Sequence, residues 1–331
     1  MTVSQDPKIR RQPIGAGEDL QFPEDALPPK TKGRYGTQNI VVLVVQVAAW
    51  AALLTLIERA SPWPLKLALV LLFCAVMQGV FSLMHEYFHD NAHPNPRINY
   101  AIGVVGSVLF GTAATFHRVN HWGHHVRNRT PAEQGEFIHD DESAIGKIAI
   151  YYFAVLGGLW LSSGLFPLIS FFVPYRAITF LSSFKRFNTY SAAFAQFKVA
   201  DWTRMRLEAL LLIVFWSAIL YFGVFQWQTI VLAYGSFALS WSSLQWVYHL
   251  RTPLHVVEGA YNLRLPTFVR WLFLNFNYNL THHRRPYLPW QELPIATNLT
   301  ETQPLWYRWA LMLKWPIPFP DDLSSLEKRY F

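Results

Sequence analysis

Residues 67–89 read LALVLLFCAVMQGVFSLMHEYFH. The first eighteen carry no formal charge, close to the ~20 residues a helix needs to span ~30 Å of hydrocarbon. His85 and His89 follow at once, and four residues apart on a helix they share one face. The stretch therefore predicts a crossing helix that continues past the membrane surface and presents two imidazoles there.

Two more clusters lie further along the chain. One reads His117-Arg-Val-Asn-His121-Trp-Gly-His124-His125 and the other Asn279-Leu-Thr-His282-His283, and seven of the twelve histidines fall between positions 85 and 125. His121, His124 and His125 again have helical spacing. His249 closes a further apolar stretch with Gln245 one turn before it, so an imidazole and an amide oxygen meet there. Neutral imidazole binds iron, zinc and copper alike, so spacing alone does not choose the metal. Eight histidines with an amide are too many for one ion and serve two ions with positions left open.

Composition places these clusters on a membrane protein. Hydrophobic residues make up 52% and charged residues 15%, against roughly 25% charged in an ordinary soluble domain. Nearly uncharged windows at residues 40–57, 67–84, 209–225 and 230–248 predict four crossings in two hairpins. Residues 148–173 form a fifth apolar stretch, but a fifth crossing would put the clusters on opposite faces and export a loop bearing Arg176, Lys185, Arg186, Lys198, Arg204 and Arg206, against the positive-inside tendency. With Gly157, Gly158, Gly164 and Pro167 as breakers, it reads as bent or re-entrant, and residues 99–116 as interfacial or half-inserted. Lys8, Arg10, Arg11, Lys30, Lys32 and Arg34 then lie on the cytoplasmic side with both ends of the chain, and the net charge of +7 reflects topology rather than nucleic acid binding. The fold class is all-α integral membrane, with a polar tail at 1–38, a catalytic domain at 39–290 and a cytoplasmic tail at 291–331. No cleavable signal is visible. The single cysteine, Cys74, excludes intrachain disulfides and cysteine-held iron–sulfur clusters.

The three runs resemble the histidine boxes HxxxH, HxxHH and H/QxxHH of the membrane fatty acid desaturase and hydroxylase superfamily, and the order of hairpin, two boxes, hairpin and last box agrees over about residues 40–290. That resemblance implies a cytoplasmic helical cap holding two irons, dioxygen as co-substrate, and His85, His89, His121, His124, His125, His249, His282 and His283 as ligands. Gln245 matches the amide position of the family, Asn279 departs from the usual first residue of the third box, and His117 is an additional ligand candidate. The run from Asn279 to Trp290 resembles a bacterial subgroup that includes lipid desaturases, hydroxylases and fatty acid decarboxylases forming terminal 1-alkenes, which favours a bacterial inner membrane. The implied reaction is oxidation of an unactivated C–H bond in a fatty acid or acyl lipid, with desaturation first, decarboxylation to a 1-alkene second, and hydroxylation or carotenoid ketolation third.

Nothing in the chain resembles a haem-binding cytochrome module, a flavin fingerprint or a ferredoxin, so electrons are expected from a separate ferredoxin or cytochrome, docked on Arg127, Arg129, Arg284 and Arg285. The plainer expectation is that these arginines hold lipid phosphates or carboxylates. Glu86 and Asp90 are expected to orient imidazoles, His93, His139 and His255 to serve turns and loops, and the many Trp and Tyr residues to form an interfacial belt. A haem protein would pair its histidines within the hydrocarbon, and a metal transporter would need polar residues along its crossings; beyond Gln46 and Gln78 there are few.

Overall fold

The computed structural model describes residues 33–182 and 197–319, and the protein is mostly helical. Lys8, Arg10, Arg11, Lys30, Lys32, Lys185 and Arg186 lie outside the described residues, as does the end of the chain beyond 319. In chain order the helices are α1 (Gly36–Arg59), α2 (Trp63–Phe88), α3 (Pro96–Phe110), α4 (Ala114–Arg127), α5 (Ala144–Phe153), α6 (Leu159–Phe172), α7 (Tyr175–Ser182), α8 (Val199–Tyr221), α9 (Trp227–His249), α10 (Thr267–Leu272), α11 (Asn279–Arg284), α12 (Leu293–Ala296) and α13 (Leu305–Met312). Among the described residues four short strands, β1 (Phe137–Ile138), β2 (Asn262–Arg264), β3 (Thr302–Pro304) and β4 (Ile317–Pro318), pair in parallel as β1 with β4 and β2 with β3.

Two hairpins, α1–α2 and α8–α9, form one bundle. Their loops meet at the end far from the histidines, where Glu58 Oε2 accepts from the backbone N–H of Gln226 at 2.9 Å. Helices α2 and α9 run the same way, since Phe73 touches the ring of Tyr234 and, two turns on, Phe81 touches Trp241. Both therefore end, at His85 and His249, on one side. Among the described residues α1, α2 and the run Ala144–Phe172 are long and apolar enough to cross a membrane, with a fourth span if the bent pair α3–α4 counts as one. Helices α8 and α9 were expected as crossings and fall short of that measure. The first half of α8 carries Asp201, Arg204, Arg206 and Glu208, and α9 is diluted by serines, tyrosines and Gln245. At 23 residues each, however, they are ~35 Å long.

The run Ala144–Phe172 is broken where a π turn, Ala154–Gly158, leaves Gly157 at φ +119°, a backbone conformation that suits glycine. Its contacts run from α9 to the start of α8. Tyr151 packs on Trp246 near the histidine end of α9, Trp160 packs on Tyr234 deeper in the bundle, and the Val173 carbonyl accepts from Trp202 at the start of α8. The break falls at Gly157 and Gly158, two of the breakers that the sequence named.

Helix α3 also dives and stops inside the bundle. Asn95 caps its start by accepting from Arg97 N–H, and Gly111 at φ +94° ends it, after which α4 leaves at 98°. A helix end leaves carbonyls without partners, and hydrocarbon offers no water to satisfy them. Three aromatic side chains do so instead: Trp216 donates to the Val108 carbonyl at 3.1 Å, Tyr234 to Leu109 at 2.6 Å and Trp160 to Phe110 at 3.0 Å. Residues 291–319, part of the stretch expected as a tail, pack on the rest of the chain: β3 and β4 complete the two strand pairs, and Tyr151 donates to the Met312 carbonyl.

Candidate metal centre

All eight expected histidines converge, in two groups. His85, His89, His121, His125 and His282 form one, and His124, His249 and His283 the other, with donor atoms inside each group within 4.8 Å of one another. They arrive from the end of α2, from α4, from the end of α9 and from α11. The groups adjoin, since the rings of His125 and His283 lie 4.7 Å apart.

Within the first group the Nε2 atoms form a chain: His89 to His121 at 2.8 Å, His121 to His125 at 3.0 Å and His125 to His282 at 3.0 Å. Donors bound to one ion at about 2.1 Å and about 90° to each other would lie ~3 Å apart, given usual metal–imidazole lengths. The ring of His85 stands 4.3 Å from His121 and 4.4 Å from His282, and its Nε2 is buried without a hydrogen-bond partner, like that of His283. Such orphaned nitrogens, set among others, fit a cation. In the second group the ring of His124 lies 4.5 Å from His249 and 5.1 Å from His283.

Two imidazoles are oriented from behind. His124 Nδ1 lies 2.6 Å from Glu133 Oε2, and His249 Nδ1 lies 3.0 Å from the carbonyl of Gly259. Both therefore keep Nε2 for the centre. Burial opposes ionisation of Glu133, but His124 and Arg127 outweigh it and hold the carboxyl below its ordinary range. Burial, reinforced by His124, pushes His282 down to about 3, and burial with the charges of neighbouring imidazoles takes His283 well below 6.5. Both are neutral at physiological pH, the form that binds metal.

The other sequence candidates divide. Asn279, one turn before His282 and His283, is buried with Oδ1 unpartnered, and Gln245 has its amide nitrogen buried and unpartnered. His117 belongs to neither group. Its ring lies parallel to Phe88 at 6.0 Å and within 5.2 to 6.1 Å of Phe110, Phe116, Trp241 and Phe81. His139 stacks on Phe319, His255 accepts from two backbone N–H groups in its loop, and His93 does the same from Asn95. Asp90 grips Arg118 at 2.8 Å.

Half of the expected basic docking surface is internal: Arg127 and Arg129 are buried, whereas Arg284 and Arg285 are exposed. Arg129 is paired with Glu136 at 2.6 Å, both side chains 1% exposed, and Arg127 is bound to Glu133. Arg284 is shared between Glu258 and Glu301, and its hydrogen bond holds Glu258 below the usual carboxylate range. The plainer expectation, carboxylate partners, therefore describes these three. Sequence reasoning did not single out Glu133, Glu136 or Glu208. Each meets its partners through the fold or an irregular turn rather than through helical spacing.

Comparison with curated proteins finds no match. The family model described as fatty acid desaturase matches residues 61–315, the span from α2 through α13 that contains every imidazole of both groups. The chain belongs to the fatty acid desaturase family.

Proposed function

We propose that the protein is an oxygen-dependent diiron enzyme that desaturates the acyl chain of a fatty acid or acyl lipid. The observation that carries this reading is the convergence of eight imidazoles into adjoining groups of five and three. His85, His89, His121, His125 and His282 hold one iron. His124, His249 and His283 hold the other, with the amide oxygens of Asn279 and Gln245 as further donors. When bound, the irons supply the dioxygen chemistry that removes hydrogen from an unactivated C–H bond.

The remaining work belongs to the chain. Glu133 and the Gly259 carbonyl keep two imidazoles aimed, and Phe81, Phe88, Phe110, Trp241 and Phe276 form an aromatic layer beside His85 and His121 that excludes water. The substrate lies on the bundle side of that layer, where positioning decides which carbon is attacked. The crossings are α1, α2, α8 and α9, with α3–α4 and α5–α6 entering and leaving on the metal side. That side is cytoplasmic by its arginines, in a bacterial inner membrane. A separate ferredoxin or cytochrome delivers electrons there, with Arg285 exposed at the end of α11.

Iron analysis of the purified protein tests the centre: two irons per chain without a haem band support it, and haem or a single zinc refutes it. Lipid and headspace analysis of cells expressing the chain, against a His124→Ala control, tests the reaction. A new internal double bond supports desaturation. A volatile 1-alkene one carbon shorter than its acid, or a hydroxylated lipid, replaces it.

A further inference from the structure

Helix α4 presents His121, His124 and His125 yet starts without a side-chain cap of its own, because Ala113 occupies the N-cap position. The first N–H groups of a helix need acceptors. One acceptor comes from another helix: Glu208, on α8, takes the Thr115 backbone N–H on Oε2 at 2.7 Å. Its Oε1 accepts from the Thr115 hydroxyl at 2.7 Å and from the Tyr100 hydroxyl of α3 at 2.7 Å. The residue is 5% exposed.

A buried carboxylate is costly unless hydrogen bonds meet it. Three donors and the positive end of the α4 dipole meet this one, and Arg204, one turn earlier on α8, lies over the ring of Tyr100 at 5.6 Å. The position matters more than the energy. Thr115 is six residues from His121, so a rotation or slide of the first turn moves every imidazole on the helix. Helix α8 is also the first arm of the hairpin whose second arm ends in His249. The carboxylate thus ties the hairpin carrying one imidazole of the three-histidine group to the helix carrying another, His124.

We propose that Glu208 is a positioning residue of the metal centre, supplying in trans the cap that α4 lacks and fixing the depth and rotation at which that helix offers its imidazoles. This rests on reading the imidazoles as metal ligands. A cap that served only folding would change stability and leave the bound ion's surroundings alone. A cap that sets ligand geometry changes both.

Cobalt(II) titration of the full-length, metal-stripped protein in detergent separates these cases, read by stoichiometry, affinity and the cobalt d–d absorption. Wild type is read first: no cobalt bound there defeats the metal reading itself, independently of Glu208. Given a cobalt-binding wild type, Glu208→Leu is expected to weaken binding about tenfold or more, the scale for partners behind metal ligands, and to shift the d–d bands. Glu208→Gln keeps an amide oxygen for Thr115 N–H and is expected to restore most of the affinity. Trp216→Phe, which frees the Val108 carbonyl at the end of α3, is the stability control and is expected to lower the melting point with the cobalt spectrum unchanged. Where Glu208→Leu does not fold, the pair Thr115→Val with Tyr100→Phe removes two of the three donors and is expected to shift the spectrum in the same direction. A folded Glu208→Leu, or failing that the double variant, with wild-type affinity and spectrum overturns the proposal.

Discussion

Arg129 and Glu136, both in the loop after α4, form a salt bridge at 2.6 Å with both side chains 1% exposed, set against the loop that follows α9. Glu136 Oε1 also accepts from Arg251 N–H at 2.9 Å, two residues beyond His249, and Arg129 donates to the Thr252 carbonyl at 3.2 Å. The pair locks the end of α4 to the end of α9. Removing one partner from a buried pair leaves an uncompensated charge, at a cost of about 3–5 kcal/mol. Arg129→Met is therefore expected to lower the melting point of the detergent-solubilised protein strongly, and an unchanged melting point would refute this account.

Glu133→Gln keeps the shape of the side chain that backs His124 but removes its charge. Loss of such a partner typically weakens metal binding about 10- to 100-fold. The expected result is iron falling from two per chain toward one, with the five-histidine group still loaded. Equal loss from both groups would show that Glu133 does not act through His124.

His121 is at the middle of the Nε2 chain, whereas His139 lies against Phe319 outside both groups. Bound iron should drop by about half or more in His121→Ala and stay at the wild-type level in His139→Ala. Equal iron in the two variants would refute the assignment.

Acidity should unfold the metal-free protein. The folded-state pKa of His282 is about 3, below the unfolded value of 6.5, and His283 is shifted the same way. Between these values the unfolded chain takes up protons that the folded chain refuses, so stability falls as pH drops from about 6.5 toward 3. Melting points of the apo-protein measured from pH 7.5 to 4.5 should decline below 6.5; a flat profile contradicts the burial of neutral imidazoles.

Tyr234 donates to the Leu109 carbonyl and accepts from the indole of Trp50 at 2.8 Å. Tyr234→Phe strands both groups, each worth about 1–3 kcal/mol, at the buried end of α3. Thermal stability should fall while iron content holds, and iron loss at unchanged stability would contradict a purely supporting role.

The eight imidazoles were legible because spacing of three and four residues is a local property of helices, and the apolar windows showed where those helices end. The break in residues 148–173 was legible too, from Gly157 and Gly158. Division into five and three was not, because His124 and His125 are adjacent in sequence and turn to different groups. Glu133, Glu136 and Glu208 were hidden for a related reason: Glu208 meets Thr115 across 93 positions, and no spacing encodes that. His117 shows the limit from the other side. It has perfect helical spacing to His121, yet its ring is enclosed by phenylalanines, where packing rather than periodicity sets its direction.

The contact between His125 and His282 closes a loop of 157 residues. During synthesis the first two histidine runs leave the ribosome long before the third exists, so the five-imidazole cradle stays incomplete until most of the polypeptide has been made. Closure of the cluster is therefore a late event in the birth of this protein, and a chain truncated before α11 would lack His282 and His283, one from each group.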